Sequence, residues 1–245
     1  MGTYSAIPRA AYREQPRRMP RCLGFERYAL GFNGSSNYVE VTGSASLTFG
    51  DGEEWSLEMW ITPQEEIWCS LGGSKNYDEG DIMLHNGKYV YYRPPGVPYD
   101  GKYWWSVNIG SFLNQTLYLL ITMDSSRIMR AYRNGNYKGE TTPENSAIIF
   151  NSLAYAYHSE YGKVVIYQAR IYNRVLAEEE AKWNMLNYHN PVRDGLVLWL
   201  PMEEGSGLTV YDKSGHGNNG SLLPADDPPT WQRVRQYELR AEAGV

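Results

Sequence analysis

From residue 29 onward apolar and polar positions alternate with a period of two, the pattern of strands that bury one face. Ala29–Val41 reads as an early strand ending in Tyr38-Val39-Glu40-Val41, closed by Thr42 and Gly43. Trp55, Leu57, Met59 and Ile61 alternate with Ser56, Glu58 and Trp60, and Pro63 stops the run. Trp60 falls on the nominally polar side, so that side is expected to be covered too. Asp81–Leu84 and Lys88–Tyr92 flank His85-Asn86-Gly87, a tight-turn sequence, and Met129–Tyr132 runs into another at Asn134-Gly135. Leu117, Leu119, Ile121 and Met123 form a further alternating run, and Ala147–Phe150 and Val164–Tyr172 complete the series. Ala177–Leu186 breaks the period. Its Glu178, Glu179 and Glu180 suit the positive end of a helix, short enough to be a strap across the sheets. Short strands separated by Gly, Pro and Asn predict an all-β fold. The expected architecture is an antiparallel jelly-roll β-sandwich with one short helix and extended terminal segments.

The two ends differ from this pattern. Residues 1–28 have no steady period. They carry Arg9, Arg13, Arg17, Arg18 and Arg21, while Pro8, Pro16 and Pro20 break any continuous helix. An extended arm lying on an acidic neighbour and a solvated basic tail are both consistent with that composition. The net charge of -5 argues against a general polyanion binder, so nucleic acid contact is expected only through this arm, if anywhere. Two cysteines, Cys22 and Cys69, allow one disulfide at most and no metal cluster. No apolar run reaches membrane-spanning length, and no membrane insertion is expected.

Ala29–Val41 (ALGFNGSSNYVEV), Trp55–Pro63 (WSLEMWITP) and Ala169–Leu176 (ARIYNRVL) resemble the laminin G-like, concanavalin A-like jelly-roll superfamily. Leu117–Gly139 resembles that family's central hairpin. Gly195–Leu222 also resembles the family, but it matches the opening segment, which in members precedes the piece matching Ala29–Val41. The order implies three parts: an arm over 1–28, a jelly-roll core over 29–190, and a segment over 191–245. That last segment would complete its own or a neighbouring sandwich. The resemblance implies binding or assembly without catalysis. Because members include viral capsid, decoration and tail components, the first expectation is a virion structural protein. It would form a homo-oligomer or larger assembly through its terminal segments, by pairing at uncovered strand edges. The alternative is an extracellular carbohydrate-binding adhesion module. A glycoside hydrolase would need two positioned carboxyl groups, and Glu58 and Glu65 are not such a pair.

Candidate sites follow from loop chemistry. Tyr89, Tyr91, Tyr92, Tyr99, Tyr103, Trp104 and Trp105 surround a loop containing Pro94, Pro95 and Pro98. Exposed members would stack on a sugar ring, whereas covered ones would form a dry subunit contact. Calcium is the metal best suited to loop oxygens, with Asp78, Glu79 and Asp81 as one candidate group and Asp212 as a separate candidate. No other cofactor is expected. His85, His158, His189 and His216 are scattered, and turn or surface roles suffice for them.

Overall fold

A computed structural model describes residues 27–42, 45–74, 76, 79–97, 105–156 and 159–234. Arg9, Arg13, Arg17, Arg18 and Arg21 of the expected arm lie outside the described residues, as do Cys22, Asp78, Tyr99, Tyr103 and Trp104. The strands begin with β1 (Arg27–Gly31), β2 (Tyr38–Val41), β3 (Thr48–Phe49), β4 (Trp55–Pro63), β5 (Cys69–Gly73), β6 (Asp81–His85) and β7 (Tyr89–Arg93). There follow β8 (Trp105–Asn108), β9 (Leu117–Met123), β10 (Met129–Arg133), β11 (Asn136–Thr141), β12 (Ile148–Ile149) and β13 (Ser152–Leu153). Next come β14 (Tyr155–Ala156), β15 (Glu160–Tyr161) and β16 (Val164–Tyr172). Helix α1 (Glu178–Leu186) then leads to β17 (Leu196–Leu200), β18 (Thr209–Val210), β19 (Gly220–Leu223) and β20 (Thr230–Val234).

Turn chemistry sets the hairpins. Asn86 and Gly87 take φ of 52° and 63°, and Asn134 and Gly135 take 51° and 73°. Paired positive φ values match the right-handed twist of the flanking strands. The early run, however, is two strands rather than one. Asn33 Oδ1 accepts hydrogen bonds from the backbone amides of Ser35 and Ser36, and this turn carries the chain from β1 in one sheet to β2 in the other.

Two large antiparallel sheets form the predicted jelly-roll sandwich. The first runs β11-β10-β9-β4-β16-β1-β20, and the second runs β18-β19-β2-β13-β5-β6-β7-β8. In the first, β16 pairs along one edge with β4; its other edge is shared by β1 near the start and β17 near the end. Strand β20 pairs with β1, and β19 pairs with β2 and β18. Strands after residue 191 thus enter both sheets of their own chain.

A continuous apolar core fills the space between the sheets, with Trp55, Leu57, Met59 and Ile61 on its first-sheet side and Val39, Leu71, Ile82 and Val90 on the other. A second cluster, including Trp60, Tyr118, Leu120 and Ala181, lies outside the first sheet beneath α1. Trp60 is 2% exposed, so the strap helix does cover the nominally polar side of β4. Glu58 is on that side as well. Its carboxylate accepts hydrogen bonds from Tyr118 Oη (2.5 Å), Arg170 Nη1 (3.1 Å) and Asn184 Nδ2 of α1 (3.2 Å). All four residues are fully buried. Burial of a carboxylate requires such pairing, and here the pairing fastens the helix. Among the described residues no helix covers the outer face of the second sheet; the β14–β15 hairpin packs against β5 there.

Candidate functional site

Alternation decides which side chains turn to that outer face. In β7, Val90 and Tyr92 enter the core, leaving Tyr89, Tyr91 and Arg93 outward. In β6, Ile82 and Leu84 point inward and Asp81, Met83 and His85 outward. The register sets Asp81 against Arg93, Met83 against Tyr91, and His85 against Tyr89. The strand pair is therefore charged at one end and aromatic at the other.

At the aromatic end, Trp68 stacks on the His85 ring with centroids 3.6 Å apart and planes 21° from parallel. Tyr91 meets His85 edge-on at 5.5 Å and lies 6.4 Å from Trp68, and Tyr89 is 6.1 Å from Tyr91. All four rings are half-buried. Trp68 holds a φ of 53°. A bulky side chain rarely adopts left-handed backbone, and such outliers gather at functional sites. Burial holds the His85 pKa below the ordinary histidine value, favouring the neutral imidazole.

At the charged end, Arg93 Nε donates to Asp81 Oδ2 at 3.0 Å, and Arg93 Nη2 bonds the same oxygen. The same Nη2 reaches Glu160 Oε2 at 3.3 Å. Glu160 arrives on the β14–β15 hairpin, which lies across the sheet. Tyr155 pairs with Tyr161 and Ala156 with Glu160. Ala156 is buried, and Glu160 reaches the Arg93 guanidinium. The hairpin is held by Ala154 N to Leu71 O (3.1 Å) and Gly162 N to Ala154 O (2.9 Å). Only glycine fits at 162, because a Cβ there would sit 2.1 Å from Ser70 O. Tyr155 stacks on Tyr38 of β2 at 5.0 Å and meets Tyr161 at 4.8 Å.

Burial pushes the Asp81 carboxyl up to about 7; the Arg93 guanidinium opposes that rise and Glu160 adds to it. Asp81 Oδ1, Ser70 Oγ and His85 Nδ1 are buried without a hydrogen-bond partner among the described residues. Asp81, Ser70 and His85 are on adjacent strands of this face. Ser70 and Asp81 are themselves buried beneath the outer surface of this face.

Of the expected aromatics, Tyr89 and Tyr91 do come together. Tyr92 instead lies in the core, its hydroxyl donating to Ala147 O at 2.6 Å, because alternation turns it away from its neighbours. Trp105 is half-buried on the edge strand opposite Tyr92. Of the acidic candidates, Asp78 lies outside the described residues. Asp81 is held by Arg93, and Glu79 accepts from Ser74 Oγ. Asp212 organises a turn, accepting from the amides of Trp199, Ser214 and Asn218 and from Ser214 Oγ. Among the described residues, no three His, Cys, Asp or Glu side chains form a group able to hold a metal ion. Cys69 is a buried free thiol. Sequence reasoning missed Trp68, Arg93, Glu160 and the Tyr38–Tyr155–Tyr161 group. Only Tyr38 carried a signal, since Val39 and Val41 facing inward turn it outward.

No family model matches the sequence, and no curated protein matches it significantly. Solved structures do resemble it. A candidate carbohydrate-binding protein from Bacteroides ovatus aligns with a TM-score of 0.65 and 15% identity, over 85% of this chain and 60% of that one. This chain thus spans only about three fifths of that protein's length. The native heptameric SAP-like pentraxin from Limulus polyphemus aligns with a TM-score of 0.50 and 10% identity, over 66% of this chain and 83% of that one. At these identities the likeness is one of fold: a concanavalin A-like jelly-roll sandwich. Among the described residues no helix is long and apolar enough to cross a membrane.

Proposed function

We propose that this protein is an extracellular carbohydrate-binding module without catalytic activity, and that the ligand lies on the aromatic end of the second sheet's outer face. The half-buried platform of Trp68, His85, Tyr91 and Tyr89 carries the reading. Half-exposed aromatic rings accept the apolar face of a sugar. The carbohydrate-binding description of the Bacteroides ovatus protein, which shares the fold, supports it. Binding suits the carboxylates better than hydrolysis does. Glu58 is enclosed by three donors, and Asp81 and Glu160 share one guanidinium.

Assembly by terminal exchange, the first expectation from the sequence, would use strand edges that this chain's own β17, β19 and β20 occupy. A glycan array probed with the full chain tests the binding reading. Saturable binding should appear and should fall at least tenfold in Trp68→Ala and Tyr91→Ala. Absence of binding across the array, or binding indifferent to both substitutions, refutes it.

A further inference from the structure

The Tyr38–Tyr155–Tyr161 group shares the second sheet's outer face with the Trp68 platform, and the strand register fixes the separation. Val39, Leu153, Gly72, Ile82 and Tyr92 pair in succession from β2 through β13, β5 and β6 to β7, forming one transverse row. Tyr38 and Tyr91 each stand one residue beyond that row, on the same side of it. Val39 and Tyr92 point into the core, so Tyr38 and Tyr91 turn outward. Four strand spacings separate β2 from β7, about 19 Å at about 4.8 Å each. The β14–β15 hairpin carries rings into that interval. Tyr155 stacks on Tyr38, and Tyr161 meets Tyr155 at 4.8 Å and Tyr38 at 6.4 Å. Tyr161 adjoins Gly162, which lies against the Ser70 backbone of β5, two strands from Tyr91. That remaining step is about 10 Å. The three tyrosines are half-buried, like the residues of the Trp68 platform.

Building on the carbohydrate reading, we infer that the ligand is an extended linear oligosaccharide of several units, one stretch seated on Trp68, His85 and Tyr91 and another on Tyr161, Tyr155 and Tyr38. A single sugar ring covers one platform and cannot reach the other. A chain that runs extended presents the apolar faces of successive rings to the aromatic side chains in turn. The second contact then forms at the effective concentration set by the first, so two modest platforms add up to firm binding. Hydroxyl partners stand at the Tyr38 end. Leu223 pairs with Tyr38, and Asp227 N donates to Pro224 O, so the 224–227 turn passes that end of β2. Asp227 Oδ2 accepts from Ser36 Oγ at 2.7 Å and from Asn33 Nδ2 at 3.3 Å, and Asn33 and Asp227 are exposed. An amide and a carboxylate there donate to and accept from sugar hydroxyls.

Isothermal titration calorimetry on the full chain compares the disaccharide and hexasaccharide of the cello-, xylo- and chito-oligosaccharide series, alongside the glycan array. In a series that binds, the hexasaccharide should bind at least tenfold more tightly than the disaccharide, at one molecule per chain. Tyr155→Ala and Tyr161→Ala should each weaken hexasaccharide binding at least fivefold and leave disaccharide binding within twofold of the parent chain, whereas Trp68→Ala weakens both. Hydrogen exchange on the unaltered chain answers the same question should a variant not fold: the hexasaccharide should protect the amides around Tyr155 and Tyr161, and the disaccharide should not. Three results overturn the extended footprint and leave carbohydrate binding standing. They are equal affinity for the two lengths, a hexasaccharide indifferent to both tyrosine variants that leaves those amides unprotected, and array binding with no member of the three series bound. Failure to bind any glycan, in the series or on the array, overturns the binding reading itself.

Discussion

Asp81 gives the second sheet a pH signature in stability, independent of any ligand. In the unfolded chain its carboxyl ionises near the ordinary value of 3.8; in the folded chain burial raises it to about 7. Below about pH 4 it is protonated in both states and has no effect on stability. Between about pH 4 and pH 7 the folded state holds a proton that the unfolded state has released. Stability therefore falls as pH rises, by up to about 1.4 kcal/mol per pH unit, and levels off above the folded value. Over some three units the upper bound is about 4 kcal/mol. Asp81→Asn cannot ionise and removes this slope. Urea unfolding followed by tryptophan fluorescence at pH 4.5, 5.5, 6.5 and 7.5 should show the variant gaining on the parent chain by at least about 2 kcal/mol across that range, half the upper bound. Comparing the two chains cancels the other titrating groups. A difference flat with pH refutes the reasoning. A difference of opposite slope means that the Arg93 attraction outweighs desolvation and holds the carboxylate ionised.

Three further perturbations separate the parts of the structure. Arg170→Met strands the Glu58 carboxylate inside the α1 contact and should cost about 3–5 kcal/mol by urea unfolding, with partial recovery when Glu58→Leu is added; a loss under about 1 kcal/mol contradicts the buried pair. Gly162→Ala forces the β14–β15 hairpin off β5 at a cost of about 1–3 kcal/mol, and hydrogen exchange should speed up in the Ala154–Gly162 segment while α1 stays protected. Removing residues 195–245 takes strands out of both sheets and should abolish cooperative thermal unfolding; a truncated chain that melts cooperatively would sink the case for intramolecular completion.

The local rules of the chain determined a good deal. Period-two alternation marked β4, β9 and β16, paired positive-φ residues at Asn86-Gly87 and Asn134-Gly135 made the hairpins, and three glutamates opened α1. Those signals arise between residues a few positions apart, so sequence carries them directly. Alternation also reveals that a side chain leaves the core, as it does for Tyr89 and Tyr91. It does not reveal what meets the side chain there. Trp68 reaches His85 only because β5 and β6 lie side by side, and Glu160 reaches Arg93 across 67 positions only because a glycine lets the hairpin rest on β5. Tyr92, one residue from Tyr91 in sequence, ends in the core. What covers each sheet was likewise a tertiary outcome: α1 covers one, and on the other the β14–β15 hairpin buries the Asp81–Arg93 pair while the rings of Trp68, His85, Tyr89 and Tyr91 stay half-buried. Strand formation depends on the backbone and its immediate neighbours, whereas a binding face depends on distant strands brought into register by the packing of the whole core.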